Sequence, residues 1–142
     1  MKSTLRTAKG QSLVEFALIL PLFILLVVGM TEFGRAWMTK NILTGAAREA
    51  VRAAAVETEI NAYGSAEAIA DSVLGSANIP ITFAGDAIFD DTGSITTVDG
   101  VDVPIVFVRI TYDFPFFLAR FIPGLPDPIT LSGTATMRRE RY

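Results

Sequence analysis

The strongest constraint on this chain is an uninterrupted apolar run at residues 16–30, close to the N-terminus. As an α-helix the run is about 22 Å long, whereas the hydrocarbon core of a bilayer is about 30 Å thick. Adding residues 11–15 on one side and Thr31 on the other brings the helix to the required length. The sequence therefore predicts a membrane span that holds one acid, Glu15, near its start.

Three basic residues precede the run, with no acid among them: Lys2, Arg6 and Lys9. The positive-inside rule predicts that this end stays in the cytoplasm and that the rest of the chain is exported. Without residues 1–10, nine basic residues face fifteen acidic ones, and the net charge falls from −3 to −6. The net negative charge of residues 11–142 argues against nucleic acid as a partner.

Three interpretations of the N-terminal segment compete. A cleaved secretory signal peptide needs two small residues at a set spacing, which Gly34 and Ala36 provide, although charged side chains crowd that site. An uncleaved anchor explains the length of the segment but neither Glu15 nor Gly10. A pilin-type leader that ends at Gly10 explains both, because glycine offers a protease an extended, uncrowded backbone.

The composition excludes much of catalytic chemistry. The chain has no cysteine and no histidine, so it has no disulfide, no thiolate and no Ser-His-Asp or Cys-His machinery. We predict no cofactor and no metal site. Five aspartates offer oxygen ligands, but their spacing matches no calcium-binding loop; they are Asp86, Asp90, Asp91, Asp99 and Asp102.

The chain pattern predicts two helices. An alanine-rich stripe continues the membrane helix, so we expect one long helix over residues 12–57. Residues 61–64 then predict a break. A short second helix is expected at residues 66–74, capped by Ser65 and closed by Gly75.

From Ile79 onwards the period changes to two, which is typical of strands. Alternation occurs at residues 79–83, 106–114 and 129–137, and Asp99-Gly100 between two valines predicts a two-residue hairpin. The expected fold class is α+β, with a small antiparallel sheet covered by the helices. The expected divisions are a basic leader at 1–10, a membrane-spanning part of the helix at 11–38, and an extracytoplasmic domain at 39–142.

A free carboxylate inside hydrocarbon costs roughly 2.5–3.5 kcal/mol, so Glu15 needs a partner there. An amine at Gln11, from the same chain or from a neighbouring subunit, is one candidate and would set the axial register between packed helices. The alternative is that Glu15 lies at the level of the cytosolic headgroups and costs little. The residues alone leave both possibilities open.

The motif Gly10, Gln11-Ser12-Leu13-Val14, Glu15-Phe16 resembles the processing site of type IV-like prepilins. Together with the apolar run, its internal proline and the Glu-Phe-Gly-Arg that follows, it is similar to the TadE-like family of the tight-adherence (Flp) pilus system. The resemblance is specific over residues 10–55 and looser at the closing strand, ITLSGTATMRRE.

The resemblance implies cleavage between Gly10 and Gln11 by an integral-membrane prepilin peptidase, which makes Glu15 the fifth residue of the mature protein. It also implies a type IV pilin-like fold and an assembly role for Glu15 and Phe16. The implied protein is a minor pilin, or pseudopilin, of a bacterial Flp pilus used in surface adherence, and it is not an enzyme. Its partners are the peptidase, other pilins, platform proteins and membrane lipid.

The implied location is the bacterial inner membrane, with a single pass and a C-terminal domain outside the cytoplasm. Two rival interpretations remain. One is a membrane-anchored binding or adhesion module that never enters a filament. The other is a small secreted enzyme that uses carboxylates. The N-terminal residue of the protein distinguishes all three: a pilin starts at Gln11, an anchored module at Met1, and a secreted protein near Trp37.

Overall fold

The computed structural model describes residues 4–57, 59–80, 87–90, 95–98 and 101–139. Helix α1 is a single 53-residue helix, Thr4–Val56, about 80 Å long. It runs into a small domain formed by its own C-terminal half, a second helix and an antiparallel sheet. The predicted α+β layout is confirmed.

Helix α1 begins earlier than the sequence predicts, at Thr4 rather than near residue 12. Gly10 does not interrupt it, because a glycine inside a helix costs only about 1 kcal/mol relative to alanine. Pro21 also lies inside the helix. A proline is tolerated in a membrane helix, where neighbouring groups satisfy the backbone that it frees.

Helix α2 spans Glu59–Ser76, so the predicted break at residues 61–64 is wrong. Alanines spaced four residues apart line its buried face: Ala62 is 4% exposed, and Ala66 and Ala70 are fully buried. This face packs in the same core cluster as the alanines of α1. The packing outweighs the helical cost of Gly64, which is about 1 kcal/mol.

The end of α2 also differs from the prediction. Gly75 lies inside the helix and does not close it. Asn78 does so, because its φ of 54° is a left-handed conformation that stops an α-helix. The amide of Ile79 then donates to the carbonyl of Leu74 over 3.1 Å, which satisfies one of the last helical carbonyls.

The sheet is built around one long strand. The strands are β1 (Ala87–Asp90), β2 (Ile95–Val98), β3 (Val101–Phe114) and β4 (Ile129–Arg138). Strand β3 pairs antiparallel with each of the other three. Val98 pairs with Val101, as the predicted hairpin requires, and the turn residues Asp99 and Gly100 lie outside the described residues. The predicted alternation at 81–83 lies outside the described residues.

The alternation predicted for β3 is confirmed by its burial. Val106, Val108, Ile110 and Phe114 are at most 4% exposed, whereas Arg109 and Asp113 on the other face are exposed. The buried face packs against small side chains of both helices to form one core. The helical side of that core consists of Leu43, Ala46, Ala47, Ala50, Val51, Ala54, Ala62, Ala66, Ala70 and Leu74.

Strand β4 approaches the backbone of α1 at Gly133. A Cβ atom placed on this glycine would lie 2.5 Å from both the carbonyl oxygen of Leu43 and the amide nitrogen of Thr44. Such a distance is well inside van der Waals contact, so any side chain larger than a hydrogen forces the strand and helix apart. The glycine sets how closely the sheet covers α1.

Candidate functional site

The predicted processing and register residues lie together near the start of α1. Gly10 is exposed, and a Cβ atom added there would meet nothing within 4 Å. The side-chain amide of Gln11 donates to Oε1 of Glu15 over 3.1 Å, one helical turn away. Glu15 is exposed, and the ring of Phe16 is 61% exposed. The structure therefore brings Gln11 and Glu15 into contact through their side chains.

The apolar segment of α1 has no cover within its own chain. Every residue from 10 to 27 is exposed, including Leu13, Leu18 and Phe23 at 69%, 75% and 59%. Within the described residues, one helix, over Gly10–Val56, is long and apolar enough to cross a membrane. This candidate span fits a single-pass membrane protein, since only lipid or other helices can cover such a surface.

A second constellation lies where the apolar run ends, and it centres on Glu32. This carboxylate is 4% exposed, although it belongs to a helix whose neighbouring residues Thr31 and Phe33 are exposed. Its Oε1 accepts a hydrogen bond from Nη1 of Arg35 at 2.6 Å. Its Oε2 accepts one from the backbone N–H of Phe117 at 3.0 Å, across 85 residues of sequence.

The segment that Glu32 holds is residues 115–128, which connect β3 to β4 and which we call the basal loop. It contains a 3₁₀-helix, Phe117–Arg120. Leu118 is 8% exposed. Its Cδ1 atom would lie 3.8 Å from a Cβ atom placed on Gly29, which shows that Leu118 packs against α1 at this glycine. An apolar contact at Gly29 and a charge-assisted hydrogen bond at Glu32 therefore hold the basal loop against α1.

Further contacts brace this junction. The guanidinium of Arg35 lies 5.3 Å from the ring centroid of Phe114 at the end of β3, within range of a cation–π interaction. Oδ1 of Asp127 accepts from the backbone N–H of Phe116 at 3.1 Å and closes the loop. Between them lies an open cavity of about 230 Å³, whose lining includes Arg35, Arg120 and Asp127.

The sequence reasoning missed the role of Glu32, which it treated only as part of the Glu-Phe-Gly-Arg motif. The available signal was an acid two residues after the end of the apolar run, with an arginine three residues later on the same helical face. Nothing local identifies Phe117 as the third partner. Among the described side chains, no group of three or more acidic, histidine or cysteine residues is close enough to hold a metal. The five aspartates named above lie where no side chain is described.

The segment that carries the first constellation, and Glu32 and Arg35 of the second, is also the one that resembles known proteins. Residues 10–52 match the sequence model of the TadE-like protein family. The TadE-like match contains Gly10, Glu15 and Glu32, and it ends in the C-terminal half of α1. It confirms the resemblance drawn from the motifs, and it suggests a Tad-pilus-related protein from a family of pilus components rather than enzymes. No curated protein and no solved structure was found to match the chain.

Proposed function

We propose that this protein is a minor pilin, or pseudopilin, that serves as a structural and assembly component of a Flp/Tad pilus used in surface adherence. In this proposal a prepilin peptidase removes residues 1–10. The N-terminus stays in the cytoplasm, α1 spans the inner membrane, and the α+β domain lies outside. The protein has no catalytic role and enters chemistry only as a substrate of the peptidase.

One observation carries the proposal. Glycine, four residues and then Glu15-Phe16 open a helix whose apolar surface is entirely exposed, within the segment that matches the TadE-like family. A helix that only anchored a domain would need the apolar surface but neither the glycine nor the acid. Gly10 is exposed but lies inside α1, so a peptidase that reads an extended backbone must unwind the helix there, which a glycine makes easier. The exposed apolar surface supports packing against other pilin helices in lipid.

The cleavage site is tested by replacing Gly10 with isoleucine. We expect an unprocessed precursor, heavier by the mass of residues 1–10, because the branched side chain crowds the backbone next to the cut. Gly34→Ile is the matched control, since Gly34 is also an exposed glycine of α1 with nothing within 4 Å of an added Cβ. N-terminal sequencing of the wild type from membranes should begin at Gln11. Normal processing of Gly10→Ile, or a wild type that begins at Met1, would support the membrane-anchored adhesion module instead.

The role of Glu15 is tested separately from processing. In lipid, the hydrophobic effect does not drive helices together, so polar pairs carry much of the specificity of helix association. Such a pair stabilises the association of model helices by about 1–2 kcal/mol. A loss of that size weakens assembly about tenfold. Before cleavage the carboxylate is held by the side chain of Gln11, and cleavage adds a free amine at that residue.

We therefore expect Glu15→Ala to be cut normally, to stay in the membrane and to fail in pilus assembly. Glu15→Gln should behave like Glu15→Ala if the partner is an amine, because it loses the charge and keeps the shape. Leu13→Ala is the control, since it trims an exposed side chain of the same segment without removing a charge. An immunoblot measures processing and a surface-adherence assay measures assembly. Normal pili with Glu15→Ala would show that the acid does not set the register.

A further inference from the structure

Two aromatic rings of the basal loop lie outside the protein core. Phe117 is 48% exposed and Phe121 is 65% exposed, although Leu118 between them is buried. The two rings contact each other, with centroids 5.2 Å apart. Exposure of two adjacent phenylalanine rings to water is unfavourable. Such an apolar surface indicates that the rings contact something outside the isolated chain.

The position of this pair along α1 indicates what that contact is. Leu118 reaches α1 at Gly29, which lies inside the apolar run, and Phe117 is tied to Glu32 just beyond it. These two positions are about 4.5 Å apart along the helix axis. If residues 11–30 fill the hydrocarbon core, a length of about 30 Å, Gly29 lies at its edge. The basal loop then sits at the level where α1 leaves the bilayer.

The other side chains at this level are suited to a membrane surface. Phe33 and Trp37 are 68% and 59% exposed on α1, and their rings stack with centroids 6.1 Å apart. Arg35 and Arg120, both largely exposed, lie beside the aromatic pair and line the same open cavity. Aromatic bodies next to arginine heads are the combination found at the boundary between acyl chains and headgroups.

We propose that the basal loop docks on the membrane that α1 spans, with Phe117 and Phe121 inserted at the boundary between headgroups and acyl chains. The α+β domain is then held against the bilayer by two elements, α1 and the basal loop, and Glu32 fixes the distance between them. The inference rests on α1 crossing the membrane and does not require the pilin role. Lipid is the favoured occupant over a second copy of the chain, because the rings lie at the level of the lipid that surrounds α1.

The test uses single-tryptophan variants of the full chain in phosphatidylethanolamine and phosphatidylglycerol vesicles that contain brominated phosphatidylcholine, a quencher of tryptophan fluorescence. The native tryptophan is removed by Trp37→Phe, since the chain has one tryptophan. Phe121→Trp or Phe117→Trp then reports on the basal loop. Phe23→Trp in the apolar run is the positive control, and Tyr63→Trp on α2, 49% exposed, is the control away from the membrane.

We expect bromine near the headgroup end of the acyl chain to quench tryptophan at 121 and 117 several-fold more than tryptophan at 63. Bromine near the chain terminus should be the stronger quencher only for tryptophan at 23. Equal, weak quenching at 121, 117 and 63, with strong quenching at 23, would overturn docking while leaving the span intact. Absence of quenching at 23 would instead remove the span on which the inference rests. Quenching at 121 that disappears when the protein is concentrated in the bilayer would assign the surface to a second copy and overturn the proposal.

Discussion

The bond between Glu32 and the basal loop leads to a sharp prediction for the variant Glu32→Ala. The substitution removes the acceptor of the Phe117 N–H and the partner of Arg35 at once. A hydrogen bond to a charged group is worth about 1.5–3 kcal/mol. The pair with Arg35 adds less than about 1 kcal/mol, because the Arg35 side chain is 55% exposed and solvent screens it.

Opening of the basal loop should therefore become easier by about 1.5–3 kcal/mol, which raises the population of the open state roughly ten- to a hundredfold. Hydrogen exchange at the Phe117 amide, measured in detergent micelles, reports that population directly. We expect its exchange to accelerate by the same factor. Glu32→Gln should be intermediate, since its amide oxygen still accepts from Phe117 as a neutral group, a bond worth about 0.5–1.5 kcal/mol.

Helix α1 offers a matched control in Glu49 and Arg52. This pair has the same three-residue spacing as Glu32 and Arg35, with Oε1 and Nη1 3.2 Å apart, but both of its side chains are more than half exposed. Glu49→Ala should cost no more than about 0.5 kcal/mol, as exposed helix pairs do, and should leave exchange at Phe117 unchanged. If Glu32→Ala exchanged no faster than Glu49→Ala at Phe117, the anchoring role of Glu32 would be refuted.

Three further predictions concern packing, helix boundaries and orientation. Gly133→Ala should lower the thermal unfolding midpoint, with a cost of about 1–3 kcal/mol for overpacking, because its Cβ would strike the α1 backbone at Leu43 and Thr44. Gly64→Ala should raise stability by up to about 1 kcal/mol, since Gly64 is an exposed position inside α2 with open space for a Cβ; a loss of stability would contradict the helical assignment. Reporter enzymes fused after residue 60 should be active only outside the cytoplasm, because basic residues precede the span; cytoplasmic activity would reverse the proposed orientation. The first two are measured by circular dichroism on purified protein in detergent, and the third in cells.

Much of the fold could be predicted because it depends on neighbouring residues. The candidate membrane span follows from consecutive apolar side chains, and the strand face at residues 106–114 follows from simple alternation. The antiparallel pairing of β2 with β3 follows from the short turn that the sequence predicts between them. The motif around Gly10 and Glu15 is local too, and its sequence context matches the TadE-like family, but the cleavage and assembly roles of its residues stay predictions.

The boundaries of α2 were mispredicted for a reason that its burial explains. The segment Asn61-Ala62-Tyr63-Gly64 suggests a turn, but the largest helical cost in it is that of Gly64, about 1 kcal/mol relative to alanine. Buried Ala62 supplies a contact with the core that no local pattern shows. At the other end Asn78, rather than Gly75, adopts the left-handed conformation that ends the helix.

The sequence by itself determined the class of the fold: a long apolar helix, followed by a small α+β domain. The tertiary structure alone decided where distant segments meet. It placed Gly133 against the backbone of α1, and it gave Glu32 a partner 85 residues away at Phe117. The physical reason is that helix and strand patterns are set by interactions between near neighbours, whereas a buried carboxylate or a close backbone approach depends on which surfaces pack together. Only the packed chain decides that.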